Sequence, residues 1–406
     1  MIRRLSSLAL CGLIIAAGLL ASAAAAGDWP RYRGPAADGR SAETGLLATW
    51  PPAGPPELWR VPLGGGYSGI SVVGDRLFTL FAVGKDEFAA AFDAASGRET
   101  WRVRIDRNRP DDQGDGPRAT PTVDGDTVYT LSSSGKLHAL EAASGKVRWT
   151  LDLVKEFDAR VPRWGVATSP LVEADLLVVD VGGRAGYSLV AFDKTSGEVR
   201  WHANDDEAGY STPLAVTLGE VRQIVSFSAT RLSGVKATDG AALWSHPWRT
   251  AYDVNAAMPV FVPPNRLFIS SGYDSGGALL QIDGKRVLEL WRAGRMRNHF
   301  NSSVLVGDHL YGFDNAFLKC IAVANGEEKW ATRGFAKGSL IYADGHLIVL
   351  GERGNLAWVE ATPEDYRESA GFQLFNSKTW TMPSLANGRL FVRDQKELVA
   401  LDLRTP

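Results

Sequence analysis

Apolar residues in this chain come in short runs, broken at near-regular intervals by Gly, Asp and Asn. In Thr120-Pro121-Thr122-Val123-Asp124-Gly125-Asp126-Thr127-Val128-Tyr129, a polar residue and Pro lead into a short strand, a tight turn and a second strand. Ser303-Val304-Leu305-Val306-Gly307-Asp308-His309-Leu310-Tyr311 repeats the design. Runs this short, rich in β-branched and aromatic residues with turn formers between them, predict hairpins rather than helices. Eight such units begin near Ile70, Thr120, Ser169, Thr212, Met258, Ser302, Ser339 and Met382.

A second phrase follows most of these hairpins. Ala-x-acid-x-x-x-Gly-x-x-x-Trp occurs at Ala91 to Trp101, at Ala139 to Trp149 and at Ala191 to Trp201. Weaker copies run from Gly234 to Trp244 and from Cys320 to Trp330, and a degenerate one ends at Trp291. Tryptophans 59, 101, 149, 201, 244, 291 and 330 are spaced by 42, 48, 52, 43, 47 and 39 residues. A period of about 40–50 residues is that of a four-stranded propeller blade. In the phrase, the acid can accept hydrogen bonds from the following turn. The Gly supplies a positive-φ position, and the Trp offers a flat apolar face for packing between blades.

The two chain ends complement each other. The last unit carries only the start of the phrase, Ala400-Leu401-Asp402, and the N-terminal region carries only its end, Glu57-Leu58-Trp59. The expected fold is therefore all-β: an eight-bladed propeller of four-stranded antiparallel blades over residues 57–406, closed by an N-terminal strand that completes the last blade. Closure removes exposed sheet edges. Residues 27–56, rich in Pro and Gly, predict an irregular N-terminal wrap.

Residues 1–26 read as a signal peptide. Arg3 and Arg4 precede an apolar stretch from Leu8 to Leu20 and small residues from Ala21 to Ala26, with cleavage after Ala23 or Ala26. Cys11 lies within the apolar stretch behind Leu10, which argues against a lipoprotein anchor. The expected location is periplasmic or secreted, with no integral span after cleavage. Cys320 alone remains in the mature chain, so no internal disulfide forms. A net charge of −2 gives no general pull toward nucleic acid.

The phrase from Ala139 to Trp149 resembles the repeat named after pyrroloquinoline quinone (PQQ) enzymes, and the resemblance covers essentially the whole mature chain. Trp29-Pro30-Arg31-Tyr32-Arg33-Gly34-Pro35, with Gly45-Leu46-Leu47 and Gly66-Tyr67-Ser68, resembles a bacterial subgroup of secreted PQQ-like propellers. The superfamily includes quinoprotein alcohol dehydrogenases and the BamB component of outer-membrane protein assembly. It implies a non-catalytic binding or scaffold protein with partners in the cell envelope. The alternative is a PQQ-dependent oxidoreductase of alcohols, aldehydes or sugars, with PQQ and calcium at the channel mouth. A vicinal Cys-Cys pair, found beside the cofactor in the alcohol dehydrogenases, is missing. A carbohydrate-binding or hydrolytic propeller ranks third.

No catalytic motif stands out. His-Glu-x-x-His, Gly-x-Ser-x-Gly and zinc-ligand spacings are absent from the sequence. His138, His309 and His346 read as structural, and Cys320 as a small buried residue in an Ala slot. Asp111, Gln113, Asp115 and Gly116 match part of a calcium loop, but Thr122 replaces the final Glu, which favours a solvated loop.

Topology supplies the candidate site. The segment before each innermost strand lies at one mouth of a propeller channel. These segments carry Tyr67 and Ser68, Arg118, Arg163 and Trp164, Tyr210, Asp253 and Asn255, Asn298, His299 and Asn301, Lys337, and Lys378 with Trp380. Such convergence of polar and aromatic groups defines a candidate ligand site. Arg118 and Lys337 would meet an anion, Trp164 or Trp380 would stack on a ring, and Asp253, Asn255 or Asn301 would supply oxygen ligands or a base. The plain alternative is that these groups fill and hydrate the mouth and join the blades. Small ligands, sugars and peptides remain open at this point.

Overall fold

A computed structural model describes residues 27–405. The signal-peptide expectation for residues 1–26 lies outside them. The described chain forms eight four-stranded antiparallel sheets, whose innermost strands meet in succession around a ring. Blades 1 to 7 span 71–107, 122–152, 171–203, 214–247, 260–293, 304–332 and 339–373. Blade 8 takes three strands from 384–402 and its outer strand, Glu57–Pro62, from the N-terminal side.

The split phrase is rejoined by register. Trp59 lies opposite Ala400, just as Trp101 lies opposite Ala91 and Trp149 opposite Ala139. The turn acid behaves as expected: Asp93 Oδ1 accepts from the amides of Ala95 at 3.2 Å and Ser96 at 2.8 Å. The tryptophan is more specific than a flat packing surface. Trp59, Trp101, Trp201, Trp291 and Trp330 each donate the indole N–H to a backbone carbonyl in the next blade, at 2.8–3.1 Å. For Trp59, Trp101, Trp201 and Trp291 the ring then lies against the turn glycine of that blade. A Cβ on Gly97 would stand 2.6 Å from Trp59, and one on Gly145 2.7 Å from Trp101.

Blade 7 inverts this arrangement. Trp358 occupies the small-residue slot and Ala370 the tryptophan slot opposite it. The exchange conserves volume, and Trp50 from the N-terminal segment packs edge-on against Trp358 and Phe372.

The Ser, Thr and Pro residues that lead each unit join neighbouring blades near the channel. Ser71 Oγ donates to Pro121 O at 2.5 Å, Thr122 Oγ1 to Pro170 O at 2.6 Å and Ser384 Oγ to Ile70 O at 2.7 Å. His138 has the structural role expected of it, bonding Thr150 within its blade and Ile105 O in blade 1. Cys320 is fully buried opposite Trp330, and burial pushes its thiol up to about 11.

The N-terminal segment crosses the end of the channel opposite the mouth. Trp29 pairs with Val72 of blade 1, Pro30 O accepts from the Val123 amide, and Arg31 donates to Val172 O of blade 3. The buried Arg33 guanidinium reaches Ser303 O at 2.8 Å, before blade 6. Edge groups of the inner strands, which would otherwise face an open channel, thereby find partners.

One buried acid gives the fold a pH dependence. Asp180, at the end of a blade 3 strand, is fully buried, and neither carboxylate oxygen has a hydrogen-bond donor. Burial first, then the charge of Asp206, raises it to about 8. A folded-state value above the ordinary 3.8 means that stability is greatest at low pH and falls as pH rises from about 4 to 8. Asp180→Asn is expected to flatten this slope and raise the unfolding midpoint at pH 8.5, with little change at pH 4. Identical pH–stability curves for the two proteins would refute the assignment.

Candidate functional site

The eight inter-blade connectors meet at a cavity of about 380 Å³. Every connector contributes to its wall, and Tyr32 of the N-terminal crossing closes its inner end. The channel is thereby turned into a blind pocket.

Aromatic rings dominate the rim. Starting at Tyr210, an arc runs through Trp164, Tyr252, Tyr273, His299, Phe300 and Trp380 to Tyr67, with successive centroids 4.7–6.0 Å apart. Two of these residues are held in left-handed backbone, Tyr252 at φ 63° and Tyr273 at φ 51°. Bulky residues rarely adopt this conformation, and here it brings the two rings edge to face at 5.6 Å.

The loop 108–118 spans the gap between the ends of the arc. Tyr67 Oη donates to Gln113 O at 2.5 Å, Trp164 Nε1 donates to Asp112 Oδ1 at 3.0 Å, and Lys378 Nζ donates to Gln113 O at 3.3 Å. The loop is thus tied to blades 1, 3 and 8. Asp111, read in the sequence as a candidate calcium ligand, instead pairs with Arg118 at 3.1 Å and Arg109 at 3.6 Å. Its side chain is buried rather than solvated.

Charge at the pocket is sparse. Arg118 lines it, but the guanidinium is committed to Asp111, Gly114 O and Gly116 O. Lys337 also lines it, and among the described residues no carboxylate lies within 4 Å of its Nζ. Glu352 is close, but its carboxylate accepts from Trp380 Nε1 at 2.9 Å and from the Lys337 backbone amide at 3.3 Å. Burial, and then the Lys337 charge, lower His299 to about 4, so it is neutral at pH 7. Burial pushes the Tyr67 hydroxyl up to about 12, keeping it protonated.

Of the residues expected at the mouth, Tyr67, Arg118, Trp164, Tyr210, His299, Asn301, Lys337 and Trp380 line the pocket. Others do not. Asn255 is fully buried and bonds Ser228 O, Ala229 O and Trp248 O. Asn298 is spent on Phe313 O and Ser303, and Ser68 Oγ accepts from the Leu80 amide. A buried amide satisfies itself on backbone and has nothing left for a ligand. Asp253 is exposed outside the pocket. Arg163 lies over Trp164 and Tyr252, and Lys378 over Trp380, both as exposed cation–π partners on the rim. Asn301 is at the wall, but its amide donates to Gly338 O at 2.6 Å. Tyr32, Tyr252, Tyr273 and Phe300 were not anticipated.

The pocket wall contains no Asp or Glu, and among the described residues no three His, Cys, Asp or Glu side chains gather into a metal-binding group. Calcium takes six to eight oxygen ligands, carboxylates foremost. The donor set does not fit the PQQ–calcium pair that the oxidoreductase alternative needs.

Fold and site together define an eight-bladed propeller with a blind, aromatic-rimmed pocket. Residues 85–332, more than half the chain, match the family described as outer membrane protein assembly factor BamB, and the chain belongs to that family. It is 21% identical over 363 residues to outer membrane protein assembly factor BamB of Yersinia pestis, covering 84% of this chain and 86% of that protein. It is 23% identical over 307 residues to the protein of that name from Shewanella oneidensis, covering 68% and 72%. Among solved structures, BamB from Moraxella catarrhalis superposes with a TM-score of 0.62 at 16% identity, covering 86% of this chain and 98% of that one. A europium-containing methanol dehydrogenase gives 0.65 at 12% identity, covering 93% and 89%. At such identities the structural likenesses speak for the fold alone.

Proposed function

We propose that the protein is a non-catalytic binding propeller of the cell envelope, working with protein partners in outer-membrane assembly and using the channel mouth as its binding site. The family match across residues 85–332 carries this reading. The pocket wall adds support, since its rings and single uncommitted ammonium suit binding better than metal-assisted redox chemistry. Among the described residues no helix is long and apolar enough to cross a membrane. Periplasmic placement rests on the signal-peptide reading of residues 1–26.

Photo-crosslinking in cells tests the reading. A benzophenone side chain at position 252, on the rim, is expected to capture proteins of the outer-membrane assembly machinery. The same group at position 199, on an outer strand away from the rim, is expected not to capture them. PQQ-dependent dye reduction by the purified protein, or identical adducts at both positions, would sink the proposal.

A further inference from the structure

The charge balance of the pocket specifies a ligand class. Arg118, although cationic, is consumed by Asp111 and two loop carbonyls. His299 is neutral at pH 7. Lys378 lies on the rim over Trp380, 4.2 Å from its ring centroid, and donates to Gln113 O. Lys337 is left as the one cation of the wall with no acidic partner within 4 Å among the described residues. A half-buried ammonium gains most from a single anionic oxygen group that also replaces its lost water.

Much of the remaining wall is ring surface, with small and polar residues such as Thr120, Ser169 and Ala256 between the rings. Phe300, Trp380 and Tyr67 follow one another at 4.7 and 5.1 Å with interplanar angles of 36° and 33°. Glu352 fixes the middle ring through its indole N–H and, through the Lys337 amide, the backbone that carries the ammonium. Ring platform and charge are thus held by one carboxylate. Tyr32 blocks the inner end, so the ligand must be short enough for a cavity of about 380 Å³.

We propose that the mouth binds a small aromatic monocarboxylate, with its carboxylate on Lys337 Nζ and its ring against Phe300, Trp380 and Tyr67. The proposal rests on the reading of the mouth as a binding site. It specifies one negative charge, because a second carboxylate on the ligand would find no free cation in the wall.

Calorimetric titration of the purified chain with naphthoate, neutral naphthamide and a naphthalene dicarboxylate tests it. Naphthoate is expected to bind about tenfold more tightly than naphthamide, the scale of one charge-assisted hydrogen bond. The dicarboxylate is expected to bind no more tightly than naphthoate. In Lys337→Met the acid-to-amide ratio should fall to about one while naphthamide affinity is kept, and Lys337→Arg should restore the preference for the acid. Equal affinities for acid and amide in the unmodified protein, or a preference that survives Lys337→Met, would overturn the charge assignment and leave the mouth as a binding site. Failure of all three compounds to bind would overturn the ring site itself, without touching the cross-linking result for protein partners.

Discussion

Gly145→Ala is expected to destabilise the protein far more than Gly125→Ala, although both glycines lie in turns of blade 2. Gly125 has φ +56° and open space around its would-be Cβ. An alanine there meets only the left-handed backbone penalty, about 1–2 kcal/mol. Gly145 has φ +73°, and a Cβ would stand 2.7 Å from Trp101 and 2.8 Å from Val103. The alanine must therefore displace the indole that joins blade 1 to blade 2 and whose N–H bonds Ala142 O at 3.0 Å. Overpacking adds about 1–3 kcal/mol, and the strained hydrogen bond about 1 kcal/mol more. Urea unfolding of both variants reads the difference directly. Equal losses would mean that the glycine serves only its own turn and that the tryptophan contact is incidental.

That contrast shows where the repeat was legible and where it was not. Spacing, the split phrase and the turn acid all follow from local chemistry, and the ring of eight blades with its strand closure could be read from them. The second duty of the glycine could not, because it depends on the tryptophan of the preceding blade. In blade 7 the phrase, though not the blade, hid for a related reason. Trp358 and Ala370 exchange places across one pair of strands, so the summed volume persists while the linear phrase disappears. The N-terminal segment gave only its irregularity. Its crossing of the channel depends on single bonds to blades far along the chain, such as Arg33 to Ser303.

At the mouth, topology placed the connectors correctly, but residue type misled. Asn255 and Asn298 looked like ligand donors because amides are polar. In the structure they serve backbone groups where blades meet. Phe300, beside His299, carries no polar signal, although the rim is mainly ring surface. Tyr273 comes from a hairpin inside blade 5 rather than from a connector, and Tyr32 from the opposite end of the channel, so no connector rule reaches either. The positive φ of Tyr252 had no sequence signal, since a bulky aromatic side chain rarely adopts it.

Arg393→Met should loosen the ring where its two ends meet. Arg393 is fully buried at the end of a blade 8 strand, and burial pulls its guanidinium down to about 9, still charged at neutral pH. It donates to Leu80 O of blade 1 at 2.7 Å and to Gly64 O at 2.9 Å, on the connector from the closing strand to blade 1. No carboxylate lies within 4 Å of it among the described residues, so the charge is held by carbonyl dipoles. Met fills much of the volume and removes the cost of burying the charge, but it leaves both carbonyls without this donor. Bonds to a charged donor contribute about 1.5–3 kcal/mol each, so a net loss of about 2–4 kcal/mol is expected. Hydrogen exchange separates a seam effect from general destabilisation. Protection should fall first in Glu57–Pro62 and Glu397–Asp402, the two strands paired across the closure, while blades 3 to 5 keep theirs. A uniform fall in protection would show that Arg393 supports the whole ring rather than its seam. Unchanged protection at the seam would show that strand pairing and the Ser384–Ile70 bond hold the closure without it.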